Sequence, residues 1–270
     1  MPIQITDEEK ISRLFSIGYF QGKEWDEVRT FVLDGKEVKD AVEEFRDFHG
    51  LPPGDMDDTC VNQLFAARCG LPDFVRQDSS LCKWSFLDVT CSQKLSGLNP
   101  LSTEIETDLY NRACKAWNDV CGIRLKVIAE YDKANIYSGV GTTSGSVLAY
   151  SYLPCGTTTK STRMQQVYSK NTNWSQNLLL QVIIHEIGHA IGLDHGPNTA
   201  IMAPTANGKT LSPQEWDINE VVKRYGKPTP TPPPIPPTPP TNGIKIHIDS
   251  VIQPGDYELV PVGPAWEFNP

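Results

Sequence analysis

No apolar run in the chain is long enough to cross a bilayer: the longest, Leu178 to Ile184, is interrupted by Gln181 and falls far short of the ~20 residues that a membrane helix needs. A transmembrane span is therefore not expected. Nor does the N-terminus, MPIQITDEEK, offer the positive charge and following apolar stretch of a secretory signal, so none is expected within this sequence. Positive charge is short throughout: 24 Lys and Arg against 33 Asp and Glu leave a net charge of −9, which supplies no basic surface for a phosphate backbone or an anionic lipid. Nucleic acid is not an expected partner. Histidine is scarce, with five residues in 270, so any clustering of it carries information. Charged residues at 21% and hydrophobic ones at 39% are ordinary globular usage, which argues against wholesale disorder or a fibrous repeat.

Cysteine is present in an odd number, seven, so at least one thiol is unpaired or committed to other chemistry. Cys82 and Cys91 flank the strand-like WSFLDV, and an extended chain of that length would hold them about 30 Å apart, beyond disulfide reach. Cys114 and Cys121 fall seven residues apart near the end of an expected helix, roughly 10 Å along its axis, and need other partners unless the helix stops before Cys121. The cysteine content points to an oxidising compartment and the missing signal points away from one.

Three helices are expected in residues 1–74. Thr6 followed by Glu9 is a capping-box start, and Val38, Ala41, Val42, Phe45 and Phe48 form a helical stripe. DDTCVNQLFAAR supplies the third helix after the GLPPGDM stop. A helical unit this small is marginal alone and should lean on the region C-terminal to it. Residues 75–82 form a polar connection, and 83–226 read as mixed: strands over WSFLDV, IRLKVI, ANIYSGV, SVLAYSY and RMQQVY alternate with helices opening near Ser102, Ser175 and Ser212–Pro213, the last ending at Gly226. The first of these helices carries Ile105, Leu109, Ala113, Ala116, Trp117 and Val120 on one face. The class is thus α+β. Residues 227–243, KPTPTPPPIPPTPPTNG, are a polyproline-type linker, and 244–270 a short tail with the pattern of a β-hairpin.

The informative segment is HEIGHAIGLDH, His185 to His195, which holds three of the five histidines. His185 and His189, four residues apart on a helix, share a face and can share one zinc ion. Gly192 can break the helix in a left-handed conformation, and the chain then returns to offer His195 as a third ligand. Three protein ligands leave a fourth position for water, the mark of a catalytic rather than a structural zinc site. Glu186, on the same turn, is placed to act as general base. The fuller pattern fixes five residues, and its chance occurrence is on the order of one in a hundred thousand, which sets aside a purely structural reading.

With these residues in view the sequence resembles the metzincin metalloproteases, and the matrixins in particular. The resemblance runs over roughly residues 5–226 and rests on four features: the His185–His195 motif; Met202 in AIMAP, similar to the Met-turn beneath the metal; RCGLPD, residues 68–73, similar to the matrixin cysteine switch; and VKDAVEEFRDFHGLPPGDMDD, which resembles the peptidoglycan-binding-like prodomain of that family. It implies a metzincin-type catalytic domain behind a cysteine-switch prodomain, a zinc-dependent metalloendopeptidase acting on proteins or peptides, and action outside the cell. It also implies that Cys69 occupies the fourth zinc position in a latent form, that Arg68 and Asp73 pair to hold that loop, and that an activating protease can remove the N-terminal region.

Two departures matter. Matrixins carry a second, structural zinc on three further histidines, but only His49 and His247 remain here, and Tyr150 stands where the first such ligand would be. One zinc is therefore expected, with no structural zinc and with calcium sites in doubt. Gly196 stands where matrixins tend to have serine. A competing expectation of another class is a hydrolase or binding protein acting on cell-wall peptides or peptidoglycan through the helical unit, against which the intact Glu186 argues.

Overall fold

A computed structural model of the chain describes residues 5–74, 82–228, 258–262 and 265–269, the last two ranges by their backbone alone. Helix α1 (Asp7–Ser16) opens on the expected capping box, in which the Thr6 hydroxyl accepts from the Glu9 amide and the Glu9 carboxylate accepts from the Thr6 amide at 2.7 Å. Helix α3 (Lys36–Phe48) buries Val38, Ala41, Val42 and Phe45, while Phe48 is only partly covered and His49, just past the helix, is buried instead. Helix α4 (Asp58–Leu64) is capped by Asp57. Among its described residues the unit holds four helices rather than the expected three, because α2 (Trp25–Val28) is a single turn, too short to show the apolar repeat by which helices are read.

After α4 the chain enters a six-stranded sheet: β1 (Arg68–Cys69), β2 (Asp88–Lys94), β3 (Arg124–Val127), β4 (Ile136–Gly141), β5 (Val147–Ser151) and β6 (Met164–Ser169), in spatial order β1-β5-β6-β4-β2-β3. All pairings are parallel except β5 with β6. The first strand of the mixed region starts only at Asp88, not at Trp84. Side-chain anchors decide this: Trp84 Nε1 donates to Ala190 O at 2.8 Å, its amide donates to Tyr225 Oη, and Ser85 exchanges hydrogen bonds with Thr158. The segment is pinned to the helix ends at Ala190 and Tyr225 and to the loop at Thr158 rather than to a sheet neighbour.

Helix α5 (Thr103–Asn118) is capped by Ser102, and helix α6 (Gln176–Ala190) by Ser175, both as expected. The buried face of α5 is turned from the expected stripe: Leu109, Ala113 and Trp117 are inside, but so are Glu106, Tyr110 and Cys114, while Ile105, Ala116 and Val120 are half-covered. Trp117 Nε1 donates to Ile184 O at 2.9 Å and locks α5 to α6. Helix α7 (Glu215–Tyr225) is capped by Gln214, not by Ser212 with Pro213 as its first residue. The start is moved by Asp217, whose buried carboxylate accepts from the amides of Gln214, Ile201 and Met202 and so ties the helix to another part of the chain.

A disulfide joins Cys82 to Cys155, and the other five thiols are free and buried. Residues 1–229 make one compact unit and 230–270 a second. In the second, β7 (Glu258–Val262) and β8 (Ala265–Asn269) form an antiparallel hairpin within the tail that has a hairpin pattern in sequence, and residues 244–257 of that tail fall outside the described residues. The connection 75–81 and the proline run from 229 also fall outside them. Among the described residues no helix is long and apolar enough to cross a membrane.

Candidate metal centre

Helix α6 is buried on every side from Leu179 to Ala190, with its polar Gln181, His185, Glu186 and His189 buried among the apolar residues. His185 and His189 project from one face with ring centroids 4.6 Å apart. The helix ends at Ala190 and the chain turns at Gly192, whose φ is +96° and whose absent Cβ would lie 1.8 Å from the Cys82 carbonyl oxygen. Only glycine satisfies both conditions. The reversal brings the His195 ring to 5.3 Å from His185 and 4.9 Å from His189.

Each imidazole is oriented by a backbone carbonyl: His185 Nδ1 meets Ile201 O at 2.9 Å, His189 Nδ1 meets Leu193 O at 2.7 Å, and His195 Nδ1 meets Pro72 O at 2.9 Å. A carbonyl oxygen can only accept, so each Nδ1 carries the proton and each Nε2 presents a lone pair. The Nε2 atoms of His185 and His195 are buried with no protein partner, and His189 Nε2 lies 3.5 Å from Cys69 Sγ. The four ligand atoms of Cys69, His185, His189 and His195 all fall within 4.8 Å of one another. Three imidazoles and a thiol fit zinc by donor type and number. Burial holds His185 down to about 4 and holds His189 and His195 well below the ordinary value, so all three are neutral and able to coordinate at physiological pH.

Glu186 is fully buried beside the histidines, and burial pushes its carboxyl up to about 8, with the Cys69 thiol pulling the other way. Burial, and after it the Glu186 charge, raises the Cys69 thiol well above its usual range. A bound metal reverses that preference, because coordination deprotonates a thiol outright. Met202 is fully buried. It lies against the α6 turn between the histidines, where a Cβ on Gly188 would meet its Sδ at 2.3 Å.

Cys69 reaches the cluster on β1, which is held by Arg68 N to Ser146 O, Cys69 N to Pro204 O and Gly70 N to Ala149 O, at 2.8–3.0 Å. Arg68 pairs with Asp73 in a buried bridge, and Asp73 also accepts from Tyr19 Oη and His49 Nε2 at 3.0 Å each. Burial on its own would raise the Asp73 carboxyl, but the His49 hydrogen bond and the Arg68 charge outweigh it and hold the group below its ordinary value.

All nine residues singled out from the sequence, His185, Glu186, His189, Gly192, His195, Met202, Cys69, Arg68 and Asp73, converge on this one region. Sequence reasoning misses Tyr19, His49 and Asp217. His49 stands out in the sequence only as a remainder of an absent ligand set, and nothing in its local sequence marks it as a partner of Asp73. Asp217 carries one readable sign, its place in the first turn of α7.

A mixed sheet beside a helix bearing two histidines, with a third histidine after a glycine turn and a methionine beneath, defines a metzincin-type zinc domain. The matrixin family model matches residues 83–226, more than half of the chain, and the chain belongs to the matrixin family. Relatives include macrophage metalloelastase of Rattus norvegicus, 24% identical over 72% of this chain and 45% of that protein. Matrix metalloproteinase-16 of Homo sapiens is 28% identical over 78% and 40%, and the hatching enzyme of Paracentrotus lividus is 26% identical over 62% and 30%. The chain spans less than half the length of these relatives.

Proposed function

We propose that the chain is a zinc metalloendopeptidase kept latent by its own N-terminal region, with residues 1–74 as the inhibitory unit, 75–82 as the segment cut on activation and 83–226 as the catalytic domain. The observation that carries this reading is the Cys69 thiol standing among three histidines whose Nε2 atoms converge on one point. His185, His189 and His195 would hold the zinc, which when bound acidifies water and polarises a carbonyl oxygen. Glu186 takes a proton from the attacking water at a carboxylate oxygen and delivers it to the leaving amine nitrogen. Cys69 fills the position that water needs. β1 lies along the edge of β5, where an extended peptide substrate would otherwise add as a strand, so the same segment blocks both the metal and the substrate edge. The Cys82–Cys155 disulfide favours an oxidising compartment, in keeping with action outside the cell.

The test is chelator-sensitive cleavage of a generic protein substrate by the full-length chain beside Cys69→Ala and Glu186→Ala. The reading requires an active Cys69→Ala, a wild type quiet until clipped, and a dead Glu186→Ala. A silent Cys69→Ala that holds zinc overturns it. The cell-wall alternative has one observation in its favour, a groove of about 850 Å³ on the helical unit lined by Ile11, Trp25, Phe31, Val42 and Met56 among others. A panel of casein, gelatin and peptidoglycan separates the two.

A further inference from the structure

The three candidate ligands are oriented alike but not from the same part of the chain. Ile201 and Leu193, the acceptors for His185 and His189, lie in the matrixin-matched region, whereas Pro72, the acceptor for His195, lies 123 residues upstream in the N-terminal segment. His195 is also the one histidine of the three outside α6, in the loop after Gly192, so no helical turn fixes its ring. We infer that the N-terminal segment is a structural part of the metal centre: beyond the Cys69 thiol, it supplies the Pro72 carbonyl that orients His195, and zinc binds more tightly with the segment docked than Cys69 alone accounts for. This rests on the reading of the site as a zinc site.

The Pro72 carbonyl is held firmly enough for the role. Asp73 N donates to Ile17 O at 2.8 Å, and the Asp73 carboxylate is gripped by Arg68, His49 and Tyr19. Three residues past His195, Asn198 Nδ2 donates to the His49 carbonyl. The helical unit therefore grips the 195–198 loop at both ends. Fixing the Nδ1–H tautomer and the ring plane is what an outer hydrogen-bond partner does for a ligating histidine, and loss of such a partner typically weakens metal binding 10–100-fold. Pro72 is thus a positioning group that acts through His195.

The experiment compares two full-length variants, Cys69→Ala and Cys69→Ala/Asp73→Ala, so that the thiol is absent from both. Zinc affinity is measured by competition with a chelator, and the ring N–H protons of the three histidines are followed by NMR on histidine-labelled protein. The expected result is about tenfold or greater weakening in the double variant, with the His195 Nδ1–H signal shifted or lost and those of His185 and His189 unmoved. Equal affinities overturn the inference and leave the zinc site standing. Weaker binding with an unmoved His195 signal also overturns it, since the loss then belongs to the Asp73 charge, 3.9 Å from His195 Nδ1. Failure of Cys69→Ala itself to bind zinc sinks the proposed function instead. Should Asp73→Ala unfold the helical unit, Tyr19→Phe with His49→Phe in the same background strips two donors from Asp73 while keeping its charge, and is read in the same way.

Discussion

Replacing Gly188 by alanine adds one methyl group at the most crowded point of the metal floor. The new Cβ would lie 2.3 Å from Met202 Sδ, 3.1 Å from its Cε and 3.0 Å from Trp117 Cζ2. Relief to an ordinary contact distance of about 3.8 Å requires roughly 1.5 Å of movement. Trp117 is tied by its indole to Ile184 O, and the Met202 thioether, though flexible, is fully buried and has no open space to turn into. Overpacking of this kind costs about 1–3 kcal/mol, against a gain of about 1 kcal/mol from exchanging glycine for alanine inside a helix. With an overlap of about 1.5 Å the cost falls in the upper half of that range, about 2–3 kcal/mol, so a net loss of about 1–2 kcal/mol is expected. With a urea m-value of about 2 kcal/mol/M, the unfolding midpoint of the chelator-treated chain should fall by about 0.5–1 M. The decisive control is a double-mutant cycle with Met202→Ala, which empties the space. In that background Gly188→Ala should turn neutral or stabilising. An unchanged or raised midpoint in the single variant, or an equal loss in both backgrounds, refutes the packing account.

Three further outcomes are expected. Gly192→Ala forces a side chain into a left-handed conformation and against the Cys82 carbonyl, so it should cost more than about 2 kcal/mol, visible as a lowered melting temperature. A wild-type melting profile would contradict the geometry. Asp217→Ala leaves the amides of Ile201, Met202 and Gln214 without their acceptor, at about 1–3 kcal/mol for each group left buried and unpaired. It should also weaken zinc binding by loosening the turn whose Ile201 carbonyl holds His185, and a variant with full zinc affinity would show that this turn is held by other means. Asp73→Asn leaves Arg68 buried without its countercharge, a change worth about 3–5 kcal/mol in comparable pairs. At about 1.4 kcal/mol per tenfold, the opened population of the Cys69 loop rises at least about a hundredfold. Alkylation of Cys69 in the full-length chain, followed by peptide mass mapping, should accelerate accordingly, and an unchanged rate would mean that the bridge does not hold the loop.

The misplaced elements share a cause. WSFLDV has the composition of a strand, yet Trp84 and Ser85 spend their donors on Ala190 and Thr158, and no local pattern reveals partners that distant. Ser212 and Pro213 form a plausible helix start, yet Asp217, tied to Ile201 and Met202, sets the cap two residues later. On α5 the apolar period points to the right helix with its face turned, because Glu106, Tyr110 and Cys114 could be buried only once hydrogen-bond partners such as the Leu98 amide and Ser138 had been brought to them.

The sequence by itself determined the candidate ligands. His185 and His189 share a face because the helical repeat places residues four apart together, and Gly192 announces the turn because few other residues adopt its backbone conformation. RCGLPD and the Met202 turn are equally local, being short strings read without any knowledge of neighbours. What holds the ligands in place was decided only by the tertiary structure. The orienting groups on all three histidines are backbone carbonyls, of Ile201, Leu193 and Pro72, and every residue carries a carbonyl, so none leaves a signature in the sequence. His49 and Tyr19 reach Asp73 from other helical segments for the same reason: hydrogen bonds across long separations are chosen by the packing of apolar faces, which the order of residues constrains but does not spell out.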